Sequence, residues 1–287
     1  MHWIFVGAGN MASSLIGGLI ASGAIAESIT VVDPQTDACE RAQTRFGIKA
    51  ESSLENALAE NKHQTIGLVL AVKPHIVETV CSNFKDFFNA QSKEVQALMA
   101  PVVISVAAGV RASSMEQWLP QATALVRCMP NTPALLGLGA TALFANSACT
   151  IDQKSSAESL LKAAGMTLWV EKEQQLDAVT ALSGSGPAYF FYLIEQMSAA
   201  GTALGLDEKT ASELAIETAF GASSMARARE YSPSVLRENV TSKGGTTAAA
   251  LNSFNKNNLP ALVAEGMQAA HDRAVELGDD LAPGKDL

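Results

Sequence analysis

Residues 4–12, with the sequence IFVGAGNMA, constrain the fold of this chain more than any other stretch. A short apolar run leads into Gly7-Ala8-Gly9, and apolar residues then recur at helical spacing, at Met11, Leu15, Ile16, Leu19 and Ile20. This is the order strand, glycine turn, helix. In a dinucleotide-binding turn, the first glycine reverses the strand, the second admits a pyrophosphate, and a small third residue, here Ala12, lets the helix pack. The alternative is an ordinary strand–helix turn without a ligand.

Four further apolar runs predict strands at residues 29–32, 65–72, 101–106 and 124–129, separated by helical patterns. This alternation predicts a parallel sheet with right-handed crossovers. Two shorter strands are expected at residues 140–145 and 168–170. We therefore expect a Rossmann-like doubly wound dinucleotide-binding domain over residues 1–171, with its ligand beyond the carboxyl ends of the strands.

Residues 172–287 contain helical patterns and no strand candidate. These helices are rich in Ala, Leu, Ile and Met, and no sheet is expected to cover their apolar faces. The second domain is therefore expected to be all-α and to bury those faces against a second copy, as a homodimer or a larger homo-oligomer.

Composition excludes several classes of protein. The net charge of −9 argues against a nucleic-acid partner. The four cysteines show no metal-ligand spacing, so we expect a reducing compartment and no metal site. Neither a signal peptide nor a membrane span is expected, and the predicted location is the cytoplasm.

Asp33 follows the second predicted strand, where an acidic residue can meet the adenosine ribose of a dinucleotide. A helix-capping role before Pro34 is an equal alternative. If Asp33 faces the ribose, its charge would repel a 2′-phosphate.

The sequence offers few candidate catalytic side chains. None of the four histidines lies in a polar or glycine-rich cluster, and no paired-carboxylate spacing is present. A dinucleotide-binding chain without a dedicated base suggests hydride transfer to a carbon that is already electrophilic, such as that of a C=N bond.

The densest cluster of polar residues and glycine in the second half is Thr241–Thr247. Gly244 and Gly245 at a helix start expose backbone N–H groups that suit a carboxylate. N-capping by a threonine is the alternative, and it would leave Ser242, Lys243 and the glycines unexplained.

Several segments in order along nearly the whole chain resemble pyrroline-5-carboxylate reductases. They are residues 7–11 (GAGNM), 71–74 (AVKP), 106–109 (VAAG), 127–133 (RCMPNTP), 177–180 (DAVT), 183–189 (SGSGPAY) and 239–247 (NVTSKGGTT). The resemblance implies reduction of 1-pyrroline-5-carboxylate to L-proline, the last step of proline biosynthesis, with NADPH or alternatively NADH. It places the substrate between the nicotinamide and the glycine–threonine loop, at a dimer interface.

The resemblance also implies roles for individual residues. Thr247 is the expected catalytic residue and hydrogen-bonds the ring nitrogen. The other expected substrate contacts are Ser242, Gly244, Gly245, Thr246, Glu173 and Glu230. Together, strand ends and resemblance give these cofactor contacts: Gly7, Ala8, Gly9, Asn10, Met11, Asp33, Ser53, Ala71, Val72, Lys73, Pro74, Val106, Ala107, Ala108, Asn131 and Asn239. Two residues depart from common family residues. Lys243 replaces Pro and adds a positive charge near the carboxylate site, whereas Ser53 replaces Asn and, with Asp33, leaves the choice between NADPH and NADH open.

Two other functions compete with this one. A related imine or β-hydroxyacid dehydrogenase would share the two-domain plan, but the hydroxyacid type needs a lysine that the predicted helix at residues 188–204 lacks. A non-catalytic dinucleotide sensor would not need the intact loop at residues 241–247.

Overall fold

The structure is a computed structural model that describes residues 1–282. Its contacts divide the chain into two units: residues 1–184 together with the C-terminal segment from Ala270 form the first, and Ser185–Ala269 form the second. The expected domains, residues 1–171 and 172–287, stay a prediction. Residues 283–287 of the second lie outside the described residues.

Eight strands form one sheet within the described part of the first unit. They are β1 (His2–Val6), β2 (Ile29–Val32), β3 (Lys49–Glu51), β4 (Ile66–Leu70), β5 (Val102–Ser105), β6 (Ala124–Met129), β7 (Gly139–Ala145) and β8 (Gly165–Trp169). Their order is β3-β2-β1-β4-β5-β6-β7-β8. The first six are parallel, so their carboxyl ends meet at one edge in the order typical of dinucleotide-binding folds. The expected Rossmann-like sheet is confirmed.

Two features of the sheet differ from the sequence-based expectation. β7 runs antiparallel to β6, because the short connection through the 3-10 turn Thr132–Leu136 cannot make the crossover that a parallel neighbour needs. β3 was not predicted, because its three residues, Lys-Ala-Glu, carry no apolar run. It pairs with β2 and forms the edge of the sheet.

Helices cover both faces of the sheet, as a largely parallel sheet requires. The helices of the first unit are α1 (Asn10–Ala21), α2 (Thr36–Phe46), α3 (Leu54–Asn61), α4 (Val77–Asn89), α5 (Lys93–Met99), α6 (Ala112–Trp118), α7 (Ile151–Lys162) and α8 (Gln175–Val179). One core layer includes Leu15 and Ile16 of α1 with Leu160 of α7, and the other includes Leu58 of α3 with Phe84 of α4. These residues are at most 1 % exposed, so the first unit has a substantial core of its own.

The second unit is helical, as predicted. It contains α9 (Gly186–Ala203), α10 (Glu208–Ala228), α11 (Pro233–Asn239), α12 (Thr246–Lys256) and the first part of α13 (Leu259–Asp280). Only Gly186 of α9, and Ala211 and Ala215 of α10, are buried in those two helices. Large apolar side chains remain exposed in the single chain, among them Phe190, Phe191, Tyr192, Leu193, Leu214, Phe220, Met225 and Leu262.

Candidate active site

The glycine turn after β1 has the geometry that its sequence predicts. Gly7 has a φ of +100°, which L side chains rarely adopt, and a Cβ there would lie 2.5 Å from the carbonyl oxygen of Ala71. Gly9 has an ordinary φ of −72°, and a Cβ there would meet nothing within 4 Å. Ala12 is fully buried in the helix–sheet core. Gly7 is thus required by the fold, whereas Gly9 leaves open the space that a pyrophosphate would need.

The start of α1 faces this open space with unpaired helical amides. The first intrahelical hydrogen bond is donated by the amide of Ser13 to Gly9 O, at 2.9 Å. The amides of Asn10, Met11 and Ala12 therefore have no carbonyl partner within the helix. A groove of about 750 Å³ continues from the turn along α2. The cradle therefore fits the phosphates of a dinucleotide.

The half-buried carboxylate of Asp33 is hydrogen-bonded to the backbone. Its Oδ2 accepts a hydrogen bond from Ala8 N at 2.9 Å, and its Oδ1 accepts one from Gln35 N at 2.9 Å. The N-cap of α2 is Gln35, so Asp33 lies two residues before the cap and is not itself the N-cap. Ser53 is the N-cap of α3 and accepts a hydrogen bond from Asn56 N at 3.2 Å.

The remaining strand-end residues lie along the same edge of the sheet. Residues 71–74 follow β4, residues 106–108 follow β5, and Asn131 follows β6. The side chain of Asn131 is engaged on both sides, because Nδ2 donates to Ser183 O at 3.0 Å and Oδ1 accepts from Ala140 N at 2.9 Å. Asn131 thereby fixes the π-helical turn Thr180–Gly184 to the sheet, and π-helical turns are frequent at functional sites.

Glu173 forms a partly buried ion pair that the sequence did not indicate. Its Oε1 accepts hydrogen bonds from the guanidinium of Arg127, on β6, and from Ala112 N at 2.6 Å, at the start of α6. The Arg127 side chain is 9 % exposed and the Glu173 side chain 20 %. A substrate role for Glu173 stays a prediction.

A polar cavity of about 480 Å³ lies beside this ion pair in the first unit. Arg111, Asp177 and His271 line it together with Arg127 and Glu173. Burial raises the pKa of Asp177 above its ordinary value, and the nearby guanidiniums of Arg127 and Arg111 oppose that rise. The sequence analysis did not indicate that Arg127, Arg111 and His271 line one cavity, because these residues are distant from one another along the chain.

The loop before α12 resembles the first cradle in its backbone. Gly244 has a φ of +75°, and Gly245 is the N-cap of α12 with no side-chain capping bond. The first amide of that helical ladder is that of Ala249, which donates to Gly245 O at 3.1 Å. The threonine N-capping alternative is therefore wrong. Thr246 and Thr247 are the first two helical residues, so their amides precede the ladder.

The last two predicted residues belong to the second unit. Glu230 is exposed and follows Arg229, the C-cap of α10, whose φ is +59°. Asn239 is exposed and ends α11.

Comparison with known proteins identifies the family. A curated pyrroline-5-carboxylate reductase of Pseudomonas aeruginosa is 44 % identical over 277 residues, which cover 96 % of this chain and 97 % of that protein. The chain belongs to the pyrroline-5-carboxylate reductase family. It is an oxidoreductase of the NAD(P)-dependent kind.

Family descriptions and solved structures of these reductases match both parts of the chain. Residues 173–277 match the pyrroline-5-carboxylate reductase dimerisation family, and residues 3–109 match the family described as NADP oxidoreductase, coenzyme F420-dependent. The structure of the Coxiella burnetii reductase superimposes with a TM-score of 0.88 at 38 % identity, and covers 96 % of this chain and 98 % of its own. The Plasmodium falciparum enzyme, whose structure has NADP bound, superimposes with a TM-score of 0.79 at 26 % identity, and covers 97 % and 98 %. Within residues 1–282, no helix is long and apolar enough to cross a membrane.

Proposed function

We propose that this protein reduces the C=N bond of 1-pyrroline-5-carboxylate to give L-proline, the last step of proline biosynthesis. The observation that carries the proposal is near full-length similarity to reductases of this name, combined with an intact backbone cradle at residues 242–247. The reaction needs a hydride at the ring carbon and a proton at the ring nitrogen. It does not need a strong base, because a protonated imine is already electrophilic.

The cofactor is assigned to the carboxyl edge of the sheet in the first unit. A bound reduced dinucleotide would supply the hydride, with NADPH preferred and NADH as an alternative. The amides at the start of α1 hold the pyrophosphate, and Gly9 leaves room for it. The NADP bound to the P. falciparum relative supports the preference for NADPH.

Substrate recognition is assigned to the loop of the second unit. The amides of Thr246 and Thr247 at the start of α12 bind the substrate carboxylate, since a helix N-terminus favours an anion. The hydroxyl of Thr246 contributes to the same contact. The hydroxyl of Thr247 accepts a hydrogen bond from the protonated ring nitrogen and so orients the ring for hydride addition. Ser242, Gly244, Glu173, Glu230 and Asn239 remain proposed contacts of substrate or cofactor.

The activity is tested by following cofactor oxidation with pyrroline-5-carboxylate, using NADPH and NADH in parallel. Proline-forming turnover with either cofactor supports the proposal, and a higher kcat/KM with NADPH supports the preference. A folded protein that binds NADPH but does not oxidise it in the presence of the substrate would instead be a dinucleotide sensor.

The two threonines separate binding from turnover. We expect Thr247→Ala to lower kcat by roughly 10-fold to 100-fold, less than the loss of an oxyanion-hole donor, because the carboxylate contacts remain. Thr246→Ala is the matched variant, and we expect it to act mainly on KM. The dissociation constant of NADPH should not change in either variant. Wild-type kcat and KM in Thr247→Ala would reduce this residue to a structural part of α12.

We further propose that the functional assembly is a homodimer or a larger homo-oligomer in the cytoplasm. The exposed apolar side chains of α9 and α10 need a covering surface, and a second copy of the same helices provides one. The four cysteines are free thiols in the structure, which suits a reducing compartment.

A further inference from the structure

The carboxylate of Asp33 joins two loops that flank the proposed cofactor site. It lies directly after β2, is half-buried, and accepts hydrogen bonds from Ala8 N and Gln35 N, both at 2.9 Å. Each of its two oxygens therefore holds one backbone amide. An ionised acceptor makes such bonds stronger than a neutral one does.

The backbone of Asp33 is held as well as its side chain. Its amide donates to Glu51 O at 3.1 Å, and its carbonyl oxygen accepts a hydrogen bond from the thiol of Cys39 at 3.3 Å. The carboxylate thus projects from a segment that β3 and α2 both fix. A side chain anchored in this way can position another group, because little conformational entropy remains to be lost.

The amide that Asp33 holds lies at the centre of the glycine turn. Ala8 stands between Gly7, whose φ is +100°, and Gly9, which precedes the free amides of α1. Fixing the Gly7–Ala8 peptide plane fixes the direction in which the chain enters α1. The charged groups that line the groove along α2 are Asp37, Glu40, Arg41 and Arg45, and among the described residues the carboxylate of Asp33 is not part of that lining.

We propose that Asp33 is a positioning residue for the glycine turn, which supports pyrophosphate binding, and that it does not read the ribose. The proposal rests on the proposed function, since it takes the turn to be the cofactor site. It differs from both roles that the sequence suggested for Asp33, ribose contact and helix capping. Its consequence is that Asp33 affects NADH and NADPH binding equally.

The test measures dissociation constants of NADH and NADPH by fluorescence titration, together with the melting temperature. Asp33→Asn keeps the shape but replaces one acceptor by a donor, so one of the two amides loses its partner. We expect both dissociation constants to rise by about 10-fold, the loss typical of one hydrogen bond to an ionised group, with an unchanged ratio. Asp33→Glu keeps the charge but displaces the carboxylate, and it should weaken both cofactors in the same way.

Asp86→Asn on α4 is the matched control, because it removes an exposed negative charge that lies outside the groove lining and leaves the turn untouched. We expect it to change the two dissociation constants by less than about 3-fold, well under one hydrogen bond to an ionised group. Weaker NADH binding together with tighter NADPH binding in Asp33→Asn would overturn the proposal in favour of ribose contact. A lower melting temperature with unchanged dissociation constants would overturn it in favour of a purely structural role. Failure of the proposed function is distinct, because the wild-type protein itself would then bind neither dinucleotide, or would bind NADPH without oxidising it in the presence of the substrate.

Discussion

Gly9 gives the sharpest test of the proposed cofactor site, because the structure separates its role from that of Gly7. We consider the variant Gly9→Val. The backbone of Gly9 has φ −72° and ψ −175°, an extended conformation that valine adopts readily. A Cβ there meets nothing within 4 Å, so the free protein has open space where the side chain begins.

The expected free energies follow from this geometry. Gly9 is the N-cap of α1, and exchanging a glycine for a β-branched residue at that position costs about 1 kcal/mol. The branched side chain fills the space proposed for the pyrophosphate, so the dissociation constant of NADPH should rise by at least about 100-fold, which is about 2.7 kcal/mol. Gly7→Ala is the contrasting variant. Its φ of +100° and the 2.5 Å approach to Ala71 O predict lost stability rather than selectively lost binding.

Fluorescence titration with NADPH and thermal unfolding of the same samples decide the matter. We expect Gly9→Val to unfold within a few degrees of the wild type while binding no measurable NADPH, and Gly7→Ala to unfold at a clearly lower temperature. If folded Gly9→Val bound NADPH as tightly as the wild type, the open space above the turn would not be the pyrophosphate site.

Three further outcomes are expected. Burial, reinforced by the charge of Lys49, lowers the pKa of His2 from 6.5 to about 4, so between these pH values the unfolded chain binds a proton that the folded chain does not. The free energy of unfolding should therefore fall by about 3 kcal/mol as the pH falls from above 6.5 to below 4, and urea titrations of His2→Gln should lack that component. Arg127→Met should lower the free energy of unfolding by about 3 kcal/mol, because it leaves the partly buried carboxylate of Glu173 without its cation. The double variant Arg127→Met with Glu173→Leu should recover much of that loss in the same unfolding assay. Phe220→Glu should give inactive monomers in sedimentation velocity while Glu217→Gln on the same helix stays associated, and a wild-type protein that is itself an active monomer would contradict the proposed assembly.

Much of the fold could be predicted from local patterns. The glycine turn, the parallel strands and the helical second half each rest on residues that are close in sequence. The edge strand β3 could not be predicted, since Lys49-Ala50-Glu51 forms a strand only because β2 offers it hydrogen bonds. The antiparallel direction of β7 follows from the short connection between β6 and β7, the nine residues 130–138, which cannot make a parallel crossover.

The sequence by itself determined the two local backbone conformations on which the proposed sites rest. A glycine turn between strand and helix, and two glycines before two threonines, specify backbone cradles wherever the rest of the chain lies, because both are local conformations. The tertiary structure alone decided which side chains are already engaged. Asp33 holds Ala8, Asn131 joins Ser183 to Ala140, and Glu173 pairs with Arg127. These partners are separated along the chain, so their contacts exist only after the strands have assembled, and no local pattern records them.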